Sequence, residues 1–224
     1  MDANADKTAL RDAASVLLIR GSGAQAHVLM GQRGSKAAFM PEKFVFPGGA
    51  VDATDRDIAL ARPLSAACRL RLSQGHAAPD ALAVAAIREV WEETGLMLGC
   101  PGDWRDPPAD WRDFAARGLV PDAHGLRYIF RAITPPGRPR RFDARFFLAN
   151  ADAVLGDLDD FSAACDELSH LHWVSLREAR RLNLPFITEV VLAEAQAHIE
   201  GEEMADSVPF FDNSTEVSTF RRIA

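Results

Sequence analysis

The sequence lacks the features that mark secreted, membrane-spanning and zinc-binding proteins. Its 224 residues include only three cysteines, at positions 68, 100 and 165, and no CxxC pair. An odd number of widely spaced cysteines predicts reduced thiols rather than a disulfide framework or a zinc site. No run approaches the ~18 consecutive apolar residues of a membrane span, and the polar N-terminus has no signal-peptide core. We therefore expect a cytoplasmic protein that does not act at a membrane.

The sequence is also short of positive charge. It has 25 Lys and Arg against 32 Asp and Glu, a formal net charge of −7. Proteins that bind nucleic acid polymers or anionic membranes need a basic excess, so neither partner is expected. No nucleophile-elbow motif supports Ser/His/Asp hydrolysis. An acidic chain that handles phosphate would need a metal ion or a local basic patch.

The most informative stretch runs from Arg88 to Leu96 and reads Arg-Glu-Val-Trp-Glu-Glu-Thr-Gly-Leu. Apolar residues recur here with helical spacing, which predicts a helix from about Asp80, the expected N-cap, to Leu98. The predicted buried stripe consists of Ala83, Ile87, Val90, Trp91 and Thr94. The charged residues of the stretch then lie on the opposite face.

The carboxylates of that face could bind a cation. Glu89 and Glu93 are four residues apart, and like charges at this spacing repel by about a few tenths of a kcal/mol. Arg88 precedes Glu92 by four residues and can pair with it. Mg²⁺ or Mn²⁺ would turn the repulsion into a binding site, because hard cations prefer carboxylate oxygens. A solvated acidic face explains the fragment equally well, so the rest of the chain must decide.

Strand and helix signals alternate along the chain, which predicts an α/β or α+β fold around a mixed sheet. The predicted strands are 13–20, 27–32, 44–46, 126–134, 143–150 and 168–174. Further helices are predicted at 110–117, from 176, and from about 185 to 200, with an extra helical piece at 56–74. We divide the chain into an N-terminal tail (1–12), a domain (13–200) with a helical insertion at about 56–80, and a C-terminal extension (201–224). Its acidic pair Glu202-Glu203 is expected to be mobile.

Glycines and basic residues supply further candidates. Gly48 and Gly49 follow a predicted strand, where a double glycine makes a turn or lets the backbone approach a ligand closely. Arg33, Lys36, Arg140 and Arg141 are candidates for contacts with substrate phosphate. Exposed, solvated loops remain an equally good explanation of these charges.

Arg88 to Leu96 fits the pattern R-E-U-x-E-E-x-G-U, where U is a bulky aliphatic residue. This is the second half of the box that defines the Nudix hydrolase superfamily, which the chain resembles. The first half resembles Gly49 followed by Asp55, with Asp in the place of the usual Glu. Gly49 and Arg88 are 39 residues apart, about 25 more than in the usual box. A branch similar to animal coenzyme A diphosphatases carries an insertion at this point.

The resemblance implies a fold, a metal and a set of roles. The fold is a Nudix-type α/β/α sandwich around a mixed sheet, and the cofactor is Mg²⁺ or Mn²⁺. Glu89, Glu92, Glu93 and the Gly49 carbonyl would be metal ligands, with Arg88 holding Glu92 or orienting Glu89. The general base varies within the superfamily: Glu89 is one option, and the late-loop acids Asp166 and Glu167 are others, with Glu167 preferred.

The expected function is metal-dependent hydrolysis of a nucleoside diphosphate derivative, with coenzyme A or acyl-coenzyme A as first choice of substrate. An ADP-ribose or nucleotide-sugar pyrophosphatase would use the same helix with a different outer pocket. A Nudix-like binding module without turnover is the alternative from another class, although the intact acids Glu89, Glu92 and Glu93 argue against it. The expected partner is a small molecule, and a homodimer is one option for assembly.

Overall fold

The computed structural model describes residues 9–37, 39–201 and 206–224. The expected mobility of Glu202-Glu203 therefore concerns residues outside the described part. The strands are β1 (Leu10–Arg20), β2 (His27–Arg33), β3 (Phe44–Val45), β4 (Gly48–Ala50), β5 (Met97–Pro101), β6 (Leu119–Pro121), β7 (Arg127–Ile133), β8 (Arg141–Asn150), β9 (Val154–Leu155), β10 (Leu168–Ser175), β11 (Val208–Asp212) and β12 (Thr219–Ile223). The α-helices are α1 (Ala66–Leu72), α2 (Pro79–Thr94), α3 (Arg112–Ala116), α4 (Leu176–Ala179) and α5 (Phe186–Ile199).

The strands build one large mixed sheet and one small sheet. The large sheet has the order β10-β2-β1-β8-β7-β11-β12, with β3 added to β2 and β4 added to β1. β1 and β8 are parallel from the Leu10↔Arg141 pair to the Ile19↔Asn150 pair, whereas β7 and β8 are antiparallel. The small sheet has the order β6-β5-β9. Parallel and antiparallel pairs thus coexist in the large sheet.

Both faces of the large sheet are covered. Along β1, Ala14, Val16 and Leu18 face the core that contains α2, whereas Leu17 and Ile19 face the core that contains α5. This alternation follows from the two-residue period of a strand. Burying each Leu or Ile side chain contributes about 1.5–3 kcal/mol. The result is an α/β/α sandwich, which confirms the predicted fold class.

The helix α2 differs from its prediction at both ends. It begins at Pro79, so that Asp80, the predicted N-cap, lies inside the first turn. Proline suits this position because the first helical N–H has no partner within the helix. The helix ends at Thr94, before the predicted Leu98, because Gly95 adopts a left-handed φ of 76°. Glycine reaches this conformation without a Cβ clash.

The insertion contains less helix than its spacing predicts. A short 3₁₀ turn covers Ala53–Asp57, and α1 is the only α-helix within residues 56–78 of the described chain. The hydroxyl of Ser65 caps α1 by accepting from the Cys68 amide. Leu64, Cys68 and Leu72 are buried. The insertion therefore packs its apolar side on the core that contains α2.

The large sheet extends beyond residues 13–200 at both ends. β1 begins at Leu10, so the last three residues of the predicted tail belong to the sheet. In the predicted extension, β11 pairs in parallel with β7 and β12 pairs with β11. Phe210 in β11 is only 1% exposed. No helix of the described ranges is long and apolar enough to cross a membrane, and the three cysteines are free thiols.

Candidate active site

The C-terminal half of α2 lies over the glycine pair of β4. Gly49 in β4 stands opposite Ala14 of β1, and α2 packs against both strands. The Gly48 N–H donates to Oε2 of Glu93 at 2.7 Å. A Cβ atom on Gly49 would overlap the carboxylate of Glu89. The double glycine is thus a close approach of backbone to two acidic side chains, rather than merely a turn.

Arg88 organises the acidic side chains around it. Its side chain is only 8% exposed. Nη1 donates to Oε1 of Glu89 at 2.9 Å and to Oε2 of Glu92 at 3.1 Å. Nη2 donates to the Ala50 carbonyl at 2.9 Å. One guanidinium therefore orients both acids and ties them to β4, where the sequence had left a choice between holding Glu92 and orienting Glu89.

Asp55 completes this network from the insertion side. It is 1% exposed and accepts from Nε and Nη2 of Arg88 at 3.0 and 3.2 Å. Its Oδ2 also accepts from the Asp52 amide at 2.8 Å, as half of a reciprocal cap of the 3₁₀ turn. Asp55 occupies the box position where glutamate is usual, and there it accepts hydrogen bonds directly from Arg88.

The cluster carries more negative charge than its neighbours neutralise. Burial raises the pKa of Glu89 to about 7; Arg88 opposes this shift, and the charges of Glu92 and Glu167 add to it. Burial also raises the pKa of Glu93 well above its ordinary value, against the Gly48 N–H and with the charge of Glu89. For Arg88, burial acts to lower the pKa, but Asp55 and Glu89 hold it above its usual range. A cation beside Glu89 and Glu93 would favour their ionised forms.

The donor set fits a hard divalent ion. Within the described ranges, no three Asp, Glu, His or Cys side chains already form a metal-binding group. The oxygens of Glu89 and Glu93 nevertheless converge on the Gly48-Gly49 backbone. Carboxylate and carbonyl oxygens are the ligands that Mg²⁺ and Mn²⁺ prefer. Glu92 is more accessible, with a side chain 39% exposed, so it lies at the open edge of the group.

Glu167 lies beside this cluster. Its charge contributes to the raised pKa of both Glu89 and Glu93, and its Oε1 pairs with Nη2 of Arg33 at 2.8 Å. The segment before it is tied to α2, because the Cys165 amide donates to the Glu92 carbonyl at 2.8 Å. Both late-loop candidates, Asp166 and Glu167, are exposed, but only Glu167 has these links to the α2 acids among the contacts described above. The structure therefore brings Glu167 to the α2 acids.

Comparison with known proteins agrees with this arrangement. The NUDIX domain matches residues 9–194. The chain belongs to the Nudix family. It is 29% identical over 205 residues to acyl-coenzyme A diphosphatase NUDT19 of Gallus gallus, covering 62% of this chain and 54% of that relative. The chain spans about half the length of the curated relatives it matches.

Solved structures of Nudix proteins share the fold. A NUDIX hydrolase from Alicyclobacillus acidocaldarius is 31% identical, with a TM-score of 0.65 over 89% of this chain and 96% of that one. The NUDIX domain of Shewanella oneidensis NrtR, solved with ADP ribose, is 14% identical, with a TM-score of 0.50 over 85% and 89% of the two chains. The domain match, the likeness to NUDT19 and the Alicyclobacillus structure confirm the predicted resemblance to the Nudix superfamily and its coenzyme A diphosphatase branch.

The four basic candidates of this Nudix domain lie in different surroundings. Arg33 is the one that contacts Glu167, and its side chain is 17% exposed. Lys36 and Arg140 are exposed. Arg141 is half-buried, and its Nε donates to the Thr134 carbonyl at 3.1 Å. The role of all four in phosphate binding stays a prediction.

A second buried charge group in the Nudix domain escaped the sequence analysis. Arg145 is 1% exposed, donates to the Asp12 carboxylate and lies 3.2 Å from the Asp143 carboxylate. Arg131 donates twice to Asp143, at 2.8 and 2.7 Å. Asp12 lies 133 residues before Arg145, and the four residues meet only through the register of β1, β8 and β7. The two-residue period of a strand places Arg131, Asp143 and Arg145 on one face of β7 and β8. The period alone does not identify which of these charges pair.

Proposed function

We propose that this Nudix domain is a metal-dependent diphosphatase that hydrolyses coenzyme A or acyl-coenzyme A. One observation carries the proposal: Glu89 and Glu93 are held against the Gly48-Gly49 backbone while Arg88 fixes Glu89 and Glu92. A buried, under-neutralised group of hard oxygen ligands at a backbone approach is suited to a divalent cation and a phosphate substrate. The metal ligands would be Glu89, Glu92, Glu93 and the Gly49 carbonyl.

The reaction breaks one phosphoric anhydride bond with water. A bound divalent cation would neutralise phosphoryl charge and acidify a water molecule. Glu167, or Glu89, would accept the proton of the attacking water, whose oxygen forms a bond to phosphorus as the bridging P–O bond breaks. Arg88 does not contact the reacting atoms in this account; it keeps Glu89 and Glu92 oriented. The products are two phosphate monoesters.

The branch supports the choice of substrate. NUDT19 is by name an acyl-coenzyme A diphosphatase, and the insertion between Gly49 and Arg88 resembles the insertion of the coenzyme A branch. Arg33, Lys36, Arg140 and Arg141 are the proposed contacts for the substrate phosphates. Lys36 and Arg140 are exposed, so their charged groups are open to solvent.

A substrate panel tests the proposal. The purified protein is incubated with coenzyme A, an acyl-coenzyme A, ADP-ribose and a nucleotide sugar, each with Mg²⁺ or Mn²⁺, in H₂¹⁸O. We expect coenzyme A compounds to yield 3′,5′-ADP and a phosphopantetheine product, with one ¹⁸O in a single product. If ADP-ribose is hydrolysed orders of magnitude faster, the substrate assignment is wrong. Absence of turnover with every substrate would favour a binding module.

A further inference from the structure

Arg33 occupies a fixed position between the late loop and the α2 acids. Its amide donates to the Lys43 carbonyl at 2.9 Å, and its carbonyl accepts from the Glu42 amide at 3.0 Å. On the other side of β2, Arg33 stands opposite Leu168, the residue after Glu167. The backbone of Arg33 is therefore held from both sides, which fixes the position from which its side chain extends.

Two nitrogen donors of the Arg33 guanidinium, Nη2 and Nε, differ in whether they have a hydrogen-bond partner. Nη2 donates to Oε1 of Glu167 at 2.8 Å. Nε is buried and has no hydrogen-bond partner within the described chain. The positive charge also acts on Glu93, whose pKa it lowers against the effect of burial. A buried donor without a partner lowers the stability of the fold by about 1–3 kcal/mol. An unpartnered Nε at this position therefore needs an explanation.

The segment that carries Glu167 is anchored through its backbone on either side of Glu167, at Cys165 and Leu168. The Cys165 amide bonds to the Glu92 carbonyl at 2.8 Å, and Glu167 and Asp166 are exposed. Just beyond, the register between β10 and β2 shifts between Ser169 and His172. Such a bulge interrupts regular pairing and re-aims neighbouring side chains. The direction of Glu167 therefore depends on a side-chain contact, and Arg33 provides one.

We propose that Arg33 is a positioning residue that holds Glu167 beside the α2 acids while its unpartnered Nε receives a phosphoryl oxygen of the substrate. The proposal rests on the proposed function and refines it, because it links the general base to substrate binding through one side chain. A planar guanidinium can serve two acceptors at once, whereas a lysine ammonium is a compact charge on a flexible stem. Arginine is thus the residue type that this position requires.

A double-mutant cycle on turnover tests the positioning role. The variants are Arg33→Ala, Glu167→Gln and the double variant, assayed with the substrate and metal that the panel identifies. We expect each single change to lower kcat by about 100-fold, the lower range for loss of a general base, and the double variant to be no slower than Glu167→Gln. Multiplied effects in the double variant would overturn the proposal.

The KM separates the two contacts of Arg33. Glu167→Gln should leave KM near the wild-type value, whereas Arg33→Ala should raise it. Arg33→Lys keeps the charge for Glu167 but lacks the fork, so it should recover more of kcat than of KM. Equal recovery of both constants would contradict a separate role for Nε.

Hydrogen exchange supplies a measurement that does not need activity. Amides in peptides that span residues 161–168 should exchange faster in Arg33→Ala than in wild type, and Glu167→Gln should have the same effect. The matched control is Arg20→Ala, because Arg20 pairs with Asp159 in the same connection at 2.8 Å. That control should leave kcat unchanged. Unchanged exchange at 161–168 in Arg33→Ala would refute the positioning role even if the substrate panel failed.

Discussion

Arg88 and Asp55 form a two-point ion pair that closes the candidate site from the insertion side. Nε and Nη2 of Arg88 lie 3.0 and 3.2 Å from the two carboxylate oxygens of Asp55, and the Asp55 side chain is only 1% exposed. The pair joins α2 to a turn 33 residues earlier in the chain. The acids that Arg88 orients therefore depend on the packing of the insertion.

Replacing Asp55 by Asn should destabilise the fold and the site together. The change leaves Arg88 with one charged partner fewer in a buried place, and breaking a buried pair costs about 3–5 kcal/mol. Urea denaturation of Asp55→Asn should show a loss in this range. Asp103→Asn is the control, because its pair with Arg105 is exposed and such pairs contribute little. Similar effects of the two substitutions would contradict the role of Asp55.

Alanine at Gly49 and at Gly48 should have different consequences. A Cβ on Gly49 meets the end of the Glu89 side chain, which can move, whereas a Cβ on Gly48 meets the Ala14 carbonyl and Cα of Ser15. Gly49→Ala should therefore lose activity at nearly unchanged thermal midpoint. Gly48→Ala should lower the free energy of unfolding by about 1–3 kcal/mol, as overpacking does. Equal loss of stability in both variants would argue against the close approach of Glu89.

The raised pKa of Glu89 predicts how stability changes with pH in the metal-free protein. Its pKa rises from 4.5 in the unfolded chain to about 7 in the folded one, so between these values the folded state binds more protons. The free energy of unfolding should fall across this window by up to ~3 kcal/mol. Glu89→Gln cannot ionise and should lack this fall. Parallel pH profiles of the two proteins, measured by urea denaturation with chelator, would show the assignment to be wrong.

The C-terminal hairpin should be necessary for stability. Phe210 lies between two guanidinium groups, with Arg131 and Arg221 at 4.3 and 4.5 Å from its ring centroid. Phe210→Ala should cost about 3–5 kcal/mol, the usual range for a buried phenylalanine. Phe220→Ala on β12 is a suitable comparison, because that side chain is 60% exposed. If Phe210→Ala unfolds at the wild-type urea concentration, the hairpin is dispensable to the core.

The sequence predicted well what local patterns determine. The stripe of α2 is visible because its apolar residues recur at helical spacing, and Val90 and Trp91 are buried as expected. The two faces of β1 follow from an unbroken aliphatic run. Glu89, Glu93 and Gly49 could be assigned to one site because the sequence around them resembles a known motif. The ends of α2 were less well predicted, because a glycine in the left-handed conformation stopped it at Thr94.

Contacts between distant segments could not be predicted in this way. Asp12 and Arg145 are 133 residues apart, and their ion pair exists only because β1 and β8 run parallel in one register. Arg33 and Glu167 are likewise separated by 134 residues. β11 pairs with the outer edge of β7, and no local sequence pattern identifies that strand as its partner. Such contacts are properties of the assembled sheet rather than of any one segment.

The turnover of Glu93→Gln decides whether α2 carries a catalytic metal site. Gln keeps an oxygen for the Gly48 N–H but loses the negative charge proposed to bind the metal. Diphosphate hydrolysis at saturating Mn²⁺ should fall by about a thousandfold, because the metal contributes several kcal/mol and each 1.36 kcal/mol is tenfold. The thermal midpoint of Glu93→Gln should stay near that of the wild type. The control is Glu189→Gln, on the other face of the sheet, which should keep both the wild-type rate of hydrolysis and the wild-type thermal midpoint. Full activity of Glu93→Gln would contradict the metal site on α2.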